Sequence, residues 1–426
     1  MAIRCQMGMT ERTRGTALVA RAGVLGLAFA FGGPATAGPL SPPAGPISNT
    51  NAGIEFTQAK TVIDVLPFTI AAPGSYIISE DLTGVGGIDV IVGDVSIDLN
   101  GFTLRGNGTG TDAGIEVAAG LPNIVIQRGT IELWGGDGIS AGAASSGVIS
   151  QMTVAENGGD GVSVGDEWAI VDCTVRDNTG RGIGGGNNGI VEGSLIEGNQ
   201  AEGMEVGDGW NIEGSTAADN IACGFRAGRG TTIVNSTARG NTGAGFGLDI
   251  NSAISQSVAD DNSTGFELGS GSMAHQCTAR GGGQGFDALN GGVQIISCSA
   301  FDVDGPGMVV AGSVVRDALV AGGSGEGIRA SDGSLIERCV AHQTSHQTSL
   351  GILVTGSGTS VRGCTLTGNN VGMQLAGSNN LAEGNTASGN LTLDYDFLPG
   401  NAWGFVKDVA GDGAFQEPTS FVNLRY

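Results

Sequence analysis

Six asparagines, Asn157, Asn178, Asn199, Asn220, Asn241 and Asn262, recur every 21 residues. Four residues after each of the first five stands a glycine (Gly161, Gly182, Gly203, Gly224, Gly245), and Gly265 follows Asn262 by three. Five residues before each asparagine runs a second column: Met152, Cys173, Ser194, Ser215, Ser236 and Ser257. A 21-residue unit is too short to bury its own apolar side chains, so such units must stack on one another. The chain is therefore expected to be a solenoid of stacked coils.

Coil glycines extend this pattern to thirteen positions: 114, 138, 161, 182, 203, 224, 245, 265, 285, 307, 327, 351 and 372. Each opens a short alternating run such as Gly203-Met204-Glu205-Val206, and a second run such as Ala169-Ile170-Val171-Asp172-Cys173-Thr174-Val175 follows. Period-two alternation means strands, with alternate residues inside and outside. The 79 glycines show no three-residue period, which excludes collagen. Few aromatics (5%) and 40% hydrophobic residues suit a narrow core. Thirteen coils at about 4.8 Å each give a rod roughly 60 Å long. The L-x-x-L-x-L signature of leucine-rich repeats is absent.

The repeated G-I-x-V … I-V-x-C/S-x-V-x-x-N pattern resembles the parallel β-helix repeats of the pectate-lyase-like superfamily. The stretch Gly74-Ser75-Tyr76-Ile77-Ile78, followed by Ile97-Asp98-Leu99-Asn100-Gly101-Phe102-Thr103-Leu104, resembles that of exported bacterial right-handed β-helix repeat proteins. The resemblance spans residues 73–390. It implies an all-β, right-handed parallel β-helix, and it implies no single activity, because such repeats serve lyases, hydrolases and epimerases alike. The polygalacturonase-type G-H-G and the epimerase-type D-P-H-E motifs are absent.

Around that rod, residues 1–37 read as a signal peptide. Arg4, Arg12, Arg14 and Arg21 form a basic region, residues 24–31 an apolar run, and Ala35-Thr36-Ala37 a cleavage site, so the chain is expected to be secreted or periplasmic. Residues 38–72 form a lead and amino-terminal cover, residues 73–390 the helix, and residues 391–426 an aromatic carboxy-terminal cap. No stretch is long and apolar enough to cross a membrane. The net charge of −23, with Lys60 and Lys407 the two lysines, argues against nucleic acid and anionic lipid as partners. Polysaccharide remains a partner to consider, and an acidic one would need a bridging cation. Cys277/Cys298 and Cys339/Cys364 fall in the small-residue column of neighbouring coils. Buried free thiols are expected over bridges there, because adjacent side chains point the same way.

The residue x of each G-I-x-V run faces solvent, and stacking turns it into a row: Glu116, Ser140, Ser163, Gly184, Glu205, Arg226, Gly247, Glu267, Asp287, Val309, Arg329. Glu267 and Asp287 are expected in adjacent coils near 5 Å apart, a separation that suits a retaining glycosidase pair or calcium held through Asp287. Arg226 and Arg329 are candidate bases for lyase chemistry. The bland alternative is a solvated charged face, with Glu205 pairing Arg226. Trp168 and Trp210 occupy equivalent positions two coils apart. Exposed, they would stack on sugar rings beside Glu205; otherwise they are packed into the turn. No cofactor is required on this reading, calcium being the one cation it accommodates.

Four smaller signals carry less. The G-x-S-x-G matches around Ser140 and Ser163 are explained by the repeat itself, since a nucleophile elbow needs a following helix. Residues 282–289 match a single calcium nonapeptide with no tandem copy. The duplicated His342-Gln343-Thr344-Ser345 and His346-Gln347-Thr348-Ser349 reads as a lengthened loop rather than a two-imidazole ligand site. Trp134 stands at the asparagine position of its coil and is expected to close that column.

Overall fold

The computed structural model describes residues 60–342, 349–404, 406–408 and 423–425. Every strand pairing among them is parallel, and each strand pairs with its counterpart in the coils before and after it. Three faces result. The first is a sheet of 16 strands running from Phe68–Ile70 to Leu393–Phe397, including Val162–Val164, Met204–Val206 and Thr264–Leu268. The second contains strands such as Ile190–Glu192 and Asn211–Glu213, the third Leu195–Glu197 and Thr216–Ala218. Strands Ile124–Glu132 and Gly147–Ala155 are long enough to run through both.

The sequence count of thirteen coils is corrected to 16. Two further coils precede Gly114, with first-face strands Phe68–Ile70 and Ile88–Val90, and one follows Gly372 at Leu393–Phe397. Phe68–Ile70 and Leu393–Phe397 lack the G-I-x-V spelling by which coils were recognised, and Gly87-Ile88-Asp89-Val90, which has it, stands 27 residues before Gly114, outside the spacing of the other coils. Within the expected amino-terminal cover, strand Thr61–Ile63 pairs in register with Tyr76–Ile78. Residues 391–404 likewise extend the solenoid, where Tyr395, Phe397 and Trp403 pack with ring centroids 5.3 Å apart. The signal-peptide assignment and much of the aromatic cap fall outside the described residues.

The 21-residue spelling has a mechanical explanation. Asn157 donates its backbone N–H and its Nδ2 to Asn178 Oδ1 at 3.1 and 3.0 Å, and the pattern repeats through Asn178, Asn199, Asn220 and Asn241 to Asn262. A sharp turn leaves backbone groups without strand partners, and a buried unpaired group is costly, so the amides supply the missing partners. The coil glycine makes space for them. A Cβ on Gly161 would lie 2.6 Å from the Asn178 amide nitrogen and 2.8 Å from the Gly182 carbonyl oxygen. Trp134 closes the column as expected, its backbone N–H donating to Asn157 Oδ1 at 3.0 Å.

Two more ladders line the other turns. Between the second and third faces, each serine hydroxyl accepts the N–H of the preceding coil, as in Cys173 to Ser194 and Ser194 to Ser215. Between the first and second faces, Thr231, Ser252 and Ser272 do the same, and Ser313, Ser334, Thr359, Asn380 and Asn401 form a second run.

Inside, the three faces meet in one continuous core. Phe225, Phe246, Phe266 and Phe286 stack with centroids 5.2, 5.1 and 4.6 Å apart and planes within 8° of parallel. The third face carries alanine in these coils (Ala217, Ala238, Ala259, Ala279, Ala300), where the earlier coils have Val154, Val175 and Ile196. Large residues on one wall are balanced by small ones on another, which keeps the cross-section constant at crystal-like density.

Candidate functional site

The outward row of the first face is continuous and in register. Thr69, Asp89, Glu116, Ser140, Ser163, Gly184, Glu205, Arg226, Gly247, Glu267, Asp287, Val309, Arg329, Leu353, Gln374 and Asp396 each oppose the next. Its strands carry core side chains on alternate positions, so the pleat aims the intervening residue outward.

Within the row, Glu267 and Asp287 are direct neighbours on adjacent strands, both half-buried. The stacked rings of Phe266 and Phe286 lie immediately beside them in sequence and anchor both strands from inside. Asp287 Oδ1 accepts the Leu289 N–H at 3.3 Å. Gly247 and Val309 flank the pair, and Arg226 and Arg329 stand one coil further out on either side. Two coil steps, roughly 10 Å, therefore separate each arginine from its nearer carboxylate.

Both arginines are engaged elsewhere. Arg226 Nη1 lies 3.3 Å from Glu205 and 3.6 Å from Glu202, and Arg329 Nη2 contacts both oxygens of Glu326 at 2.8 Å. Both guanidinium groups are thus directed at neighbouring glutamates and away from Glu267 and Asp287. Glu205 is also contacted by Arg181 Nη1 at 3.3 Å, which places it between two guanidinium groups.

Arg181, Asp160 and Asp137 were not singled out from sequence. The Arg181 guanidinium donates to Asp160 Oδ2 at 2.6 and 3.0 Å and lies over Gly184, whose missing side chain makes the room. Asp160 and Asp137 form a small turn ladder beneath it: Asp137 Oδ1 accepts the Asp160 N–H at 2.8 Å, and Asp160 Oδ1 accepts the Arg181 N–H at 2.7 Å. Burial pushes the Asp137 carboxyl above its ordinary range, with the charges of Asp160 and Glu116 adding to the effect. The hydrogen bonds that Arg181 donates to Asp160 hold its guanidinium still more firmly in its charged form. The signal available in sequence was positional, since Asp137, Asp160, Arg181 and Glu202 each precede a coil glycine.

The tryptophan platform is corrected. Trp168 and Trp210 are 1% and 0% exposed and belong to the core. Their indoles lie over Gly147 and Gly189, where a Cβ would approach the rings within 2.5 and 2.3 Å. Trp210 Nε1 donates to the Gly186 carbonyl at 2.8 Å, whereas Trp168 Nε1 has no partner. Beside Trp168, an open depression of about 400 Å3 is lined by Gly142, Ala143, Ala144, Ser145, Gly165, Asp166, Glu167 and Gly186.

Ser140 and Ser163 sit on flat parallel strands without a following helix, as the repeat reading requires. Among the described residues no three or more His, Cys, Asp or Glu side chains converge to hold a metal ion, so Asp287 and Glu267 offer two carboxylates toward the six to eight oxygens calcium takes. His342 is exposed and bonds Thr367 Oγ1 at 2.8 Å, while His346 and the rest of the duplicated loop lie outside the described residues. No described helix is long and apolar enough to cross a membrane.

A three-faced parallel coil with laddered turns and one polar outward row defines the parallel β-helix class. The right-handed beta helix region family matches residues 77–208 and 165–303, more than half of the chain, and the chain belongs to that family. No curated protein matches it in sequence. Among solved structures it is similar to the mannuronan C-5 epimerase AlgE6 A-module of Azotobacter vinelandii (14% identity, 78% of this chain and 90% of that one, TM-score 0.32). The Dettilon tailspike protein (gp208) shares 10% identity over 76% of this chain and 62% of its own (TM-score 0.33). A GH87 alpha-1,3-glucanase catalytic domain shares 12% over 74% and 65% (TM-score 0.31). At these identities and scores the likenesses assign no residue a role.

Proposed function

We propose that the first face binds an extended, uncharged polysaccharide, or the glycan of a surface partner, without cleaving it. The observation that carries this reading is the in-register outward row from Thr69 to Asp396. Nine of its sixteen positions are carboxylates or hydroxyls, coil steps are about 4.8 Å, close to the length of one sugar ring, and its arginines are tied into ion pairs with neighbouring carboxylates. Carboxylates accept hydrogen bonds from sugar hydroxyls, and a net charge of −23 disfavours anionic chains. Export through residues 1–37 belongs to the same proposal, because a polysaccharide ligand lies outside the cytoplasm.

A second reading rests on Glu267 opposite Asp287. Two carboxyl groups about 5 Å apart match the separation of a retaining glycosidase pair, so this reading is a carbohydrate-active enzyme of hydrolase or lyase type. The purified chain is offered to a panel of neutral and acidic glycans, with and without calcium, and binding and cleavage are scored separately. The binding reading expects retention of a neutral glycan, no new reducing ends, and weakening by Glu205→Ala. Cleavage abolished by Glu267→Ala and by Asp287→Ala would replace it with the enzyme reading. Neither retention nor cleavage of any glycan would overturn both.

A further inference from the structure

We infer that Cys277/Cys298 and Cys339/Cys364 are two cross-coil disulfide sites, closed during folding in an oxidising medium, that clasp the part of the solenoid lacking the asparagine ladder. The ladder ends at Asn262 and resumes at Asn369, which bonds Asn390. Between them the described column positions carry Gly282, Val303 and Gly323, none of which brings a side-chain amide. Both cysteine pairs fall in that interval, in the turn between the second and third faces.

The register places each pair face to face. Thr278 opposes Ser299 and His275 opposes Ile296, so Cys277 and Cys298 are in line; Val340 opposite Thr365 and Glu337 opposite Arg362 do the same for Cys339 and Cys364. Adjacent parallel strands hold Cα atoms about 4.8 Å apart, inside the disulfide range of about 4.4–6.8 Å; the shared direction of the two side chains, which favours the free thiols of the stacked coils, is what closure must overcome. Cys277 N–H donates to Cys298 Sγ at 3.4 Å, and within each pair the two thiols interact directly. All four are free and buried. Elsewhere the column holds Met152, Cys173 against Ser194, further serines, Ala318 and Asn385, and no two cysteines face each other there.

The chemistry is thiol–disulfide exchange with a small-molecule disulfide. One cysteine thiolate attacks the reagent and expels one thiolate, and the facing cysteine displaces the second, leaving one protein disulfide and two reduced reagent thiols. Exchange requires a thiolate with access to solvent. Burial opposes both once the coils have stacked, so closure belongs to the folding chain and the folded thiols react slowly.

The full chain is denatured and reduced, then refolded either in a glutathione–glutathione disulfide buffer or in excess reductant. Thiols are blocked under denaturing conditions, and peptides are mapped without reduction. The expected result is linked peptides 277–298 and 339–364 in the oxidised sample, Cys173 fully alkylated, and a higher urea midpoint than in the reduced sample. Cys298→Ser, which restores the hydroxyl found elsewhere in the column, should lose the first link, keep the second and abolish part of the midpoint shift. Alkylation of all four of these thiols after oxidative refolding, or a link from any of them to another position, would overturn the inference. So would correctly placed links with no change in midpoint.

Discussion

Replacing Asn199 by alanine removes one rung from the middle of the amide ladder. The Nδ2 group donates to Asn220 Oδ1 at 3.0 Å, to Val175 O at 3.3 Å and to Glu197 O at 3.2 Å, while Oδ1 accepts from Asn178 N and Nδ2 at 3.1 and 2.9 Å. Some groups keep a partner after the change. Asn220 Oδ1 still receives the backbone N–H of residue 199, and Asn178 Nδ2 still reaches Val154 O at 3.4 Å. The buried Asn178 N–H loses its acceptor, at a cost of about 1–3 kcal/mol, and the remaining bonds are worth about 1 kcal/mol each. The expected loss is about 3–5 kcal/mol, near the upper end for a single substitution. Urea unfolding followed by tryptophan fluorescence measures it, with the buried Trp168 and Trp210 as reporters in nearby coils. The exposed neighbour Gln200→Ala serves as control and should stay within about 0.5 kcal/mol of the parent. If the two variants unfold at the same urea concentration, the ladder does not carry the turns.

Other substitutions probe separate parts of the argument. Gly203→Ala would put a Cβ 2.6 Å from both the Asn220 amide nitrogen and the Gly224 carbonyl oxygen, so thermal unfolding should show a loss of about 1–3 kcal/mol. Phe246→Ala leaves a hole in the ring stack and should cost about 3–5 kcal/mol in the same assay. Trp210→Phe should cost about 1 kcal/mol more than Trp168→Phe, because only the former breaks an indole hydrogen bond. Asp137→Asn tests linkage: the folded carboxyl titrates above its unfolded value near 3.9, so its ionisation weakens the fold as pH rises through that window. The variant should therefore be more stable than the parent at pH 7, and the advantage should vanish below about pH 4.

The repeat was legible because its cause is local to the coil. A turn needs an amide, the amide needs a glycine beside it, and both needs recur at each stacking step, so Asn157 to Asn262 and Gly138 to Gly245 spell the fold directly. The same spelling hid three coils. Strands Phe68–Ile70 and Ile88–Val90 stack without the amide column, and Leu393–Phe397 follows Asn390 but has Asp394 where the other coils have the glycine. The outward row was also readable, since strand alternation and coil length together fix which residues oppose one another, and Glu267 meets Asp287 as the period requires.

Side-chain placement around that row was settled by tertiary packing. Trp168 and Trp210 follow acidic turns that look exposed in sequence, yet the glycines one coil earlier, Gly147 and Gly189, open cavities that take the indoles inside. The sequence names Arg226 and Arg329 as candidate bases and offers Glu205 as a partner for Arg226, but the contacts of Glu202 with Arg226 and of Glu326 with Arg329 appear only in the wound chain. Arg181 reaches over Gly184 to join carboxylates more than twenty residues away on either side. A period in sequence fixes which coil and which face a residue occupies. Whether its side chain turns into the core, lies along the sheet or meets an opposite charge depends on volumes and charges contributed by neighbouring coils, and those meet only once the chain has wound.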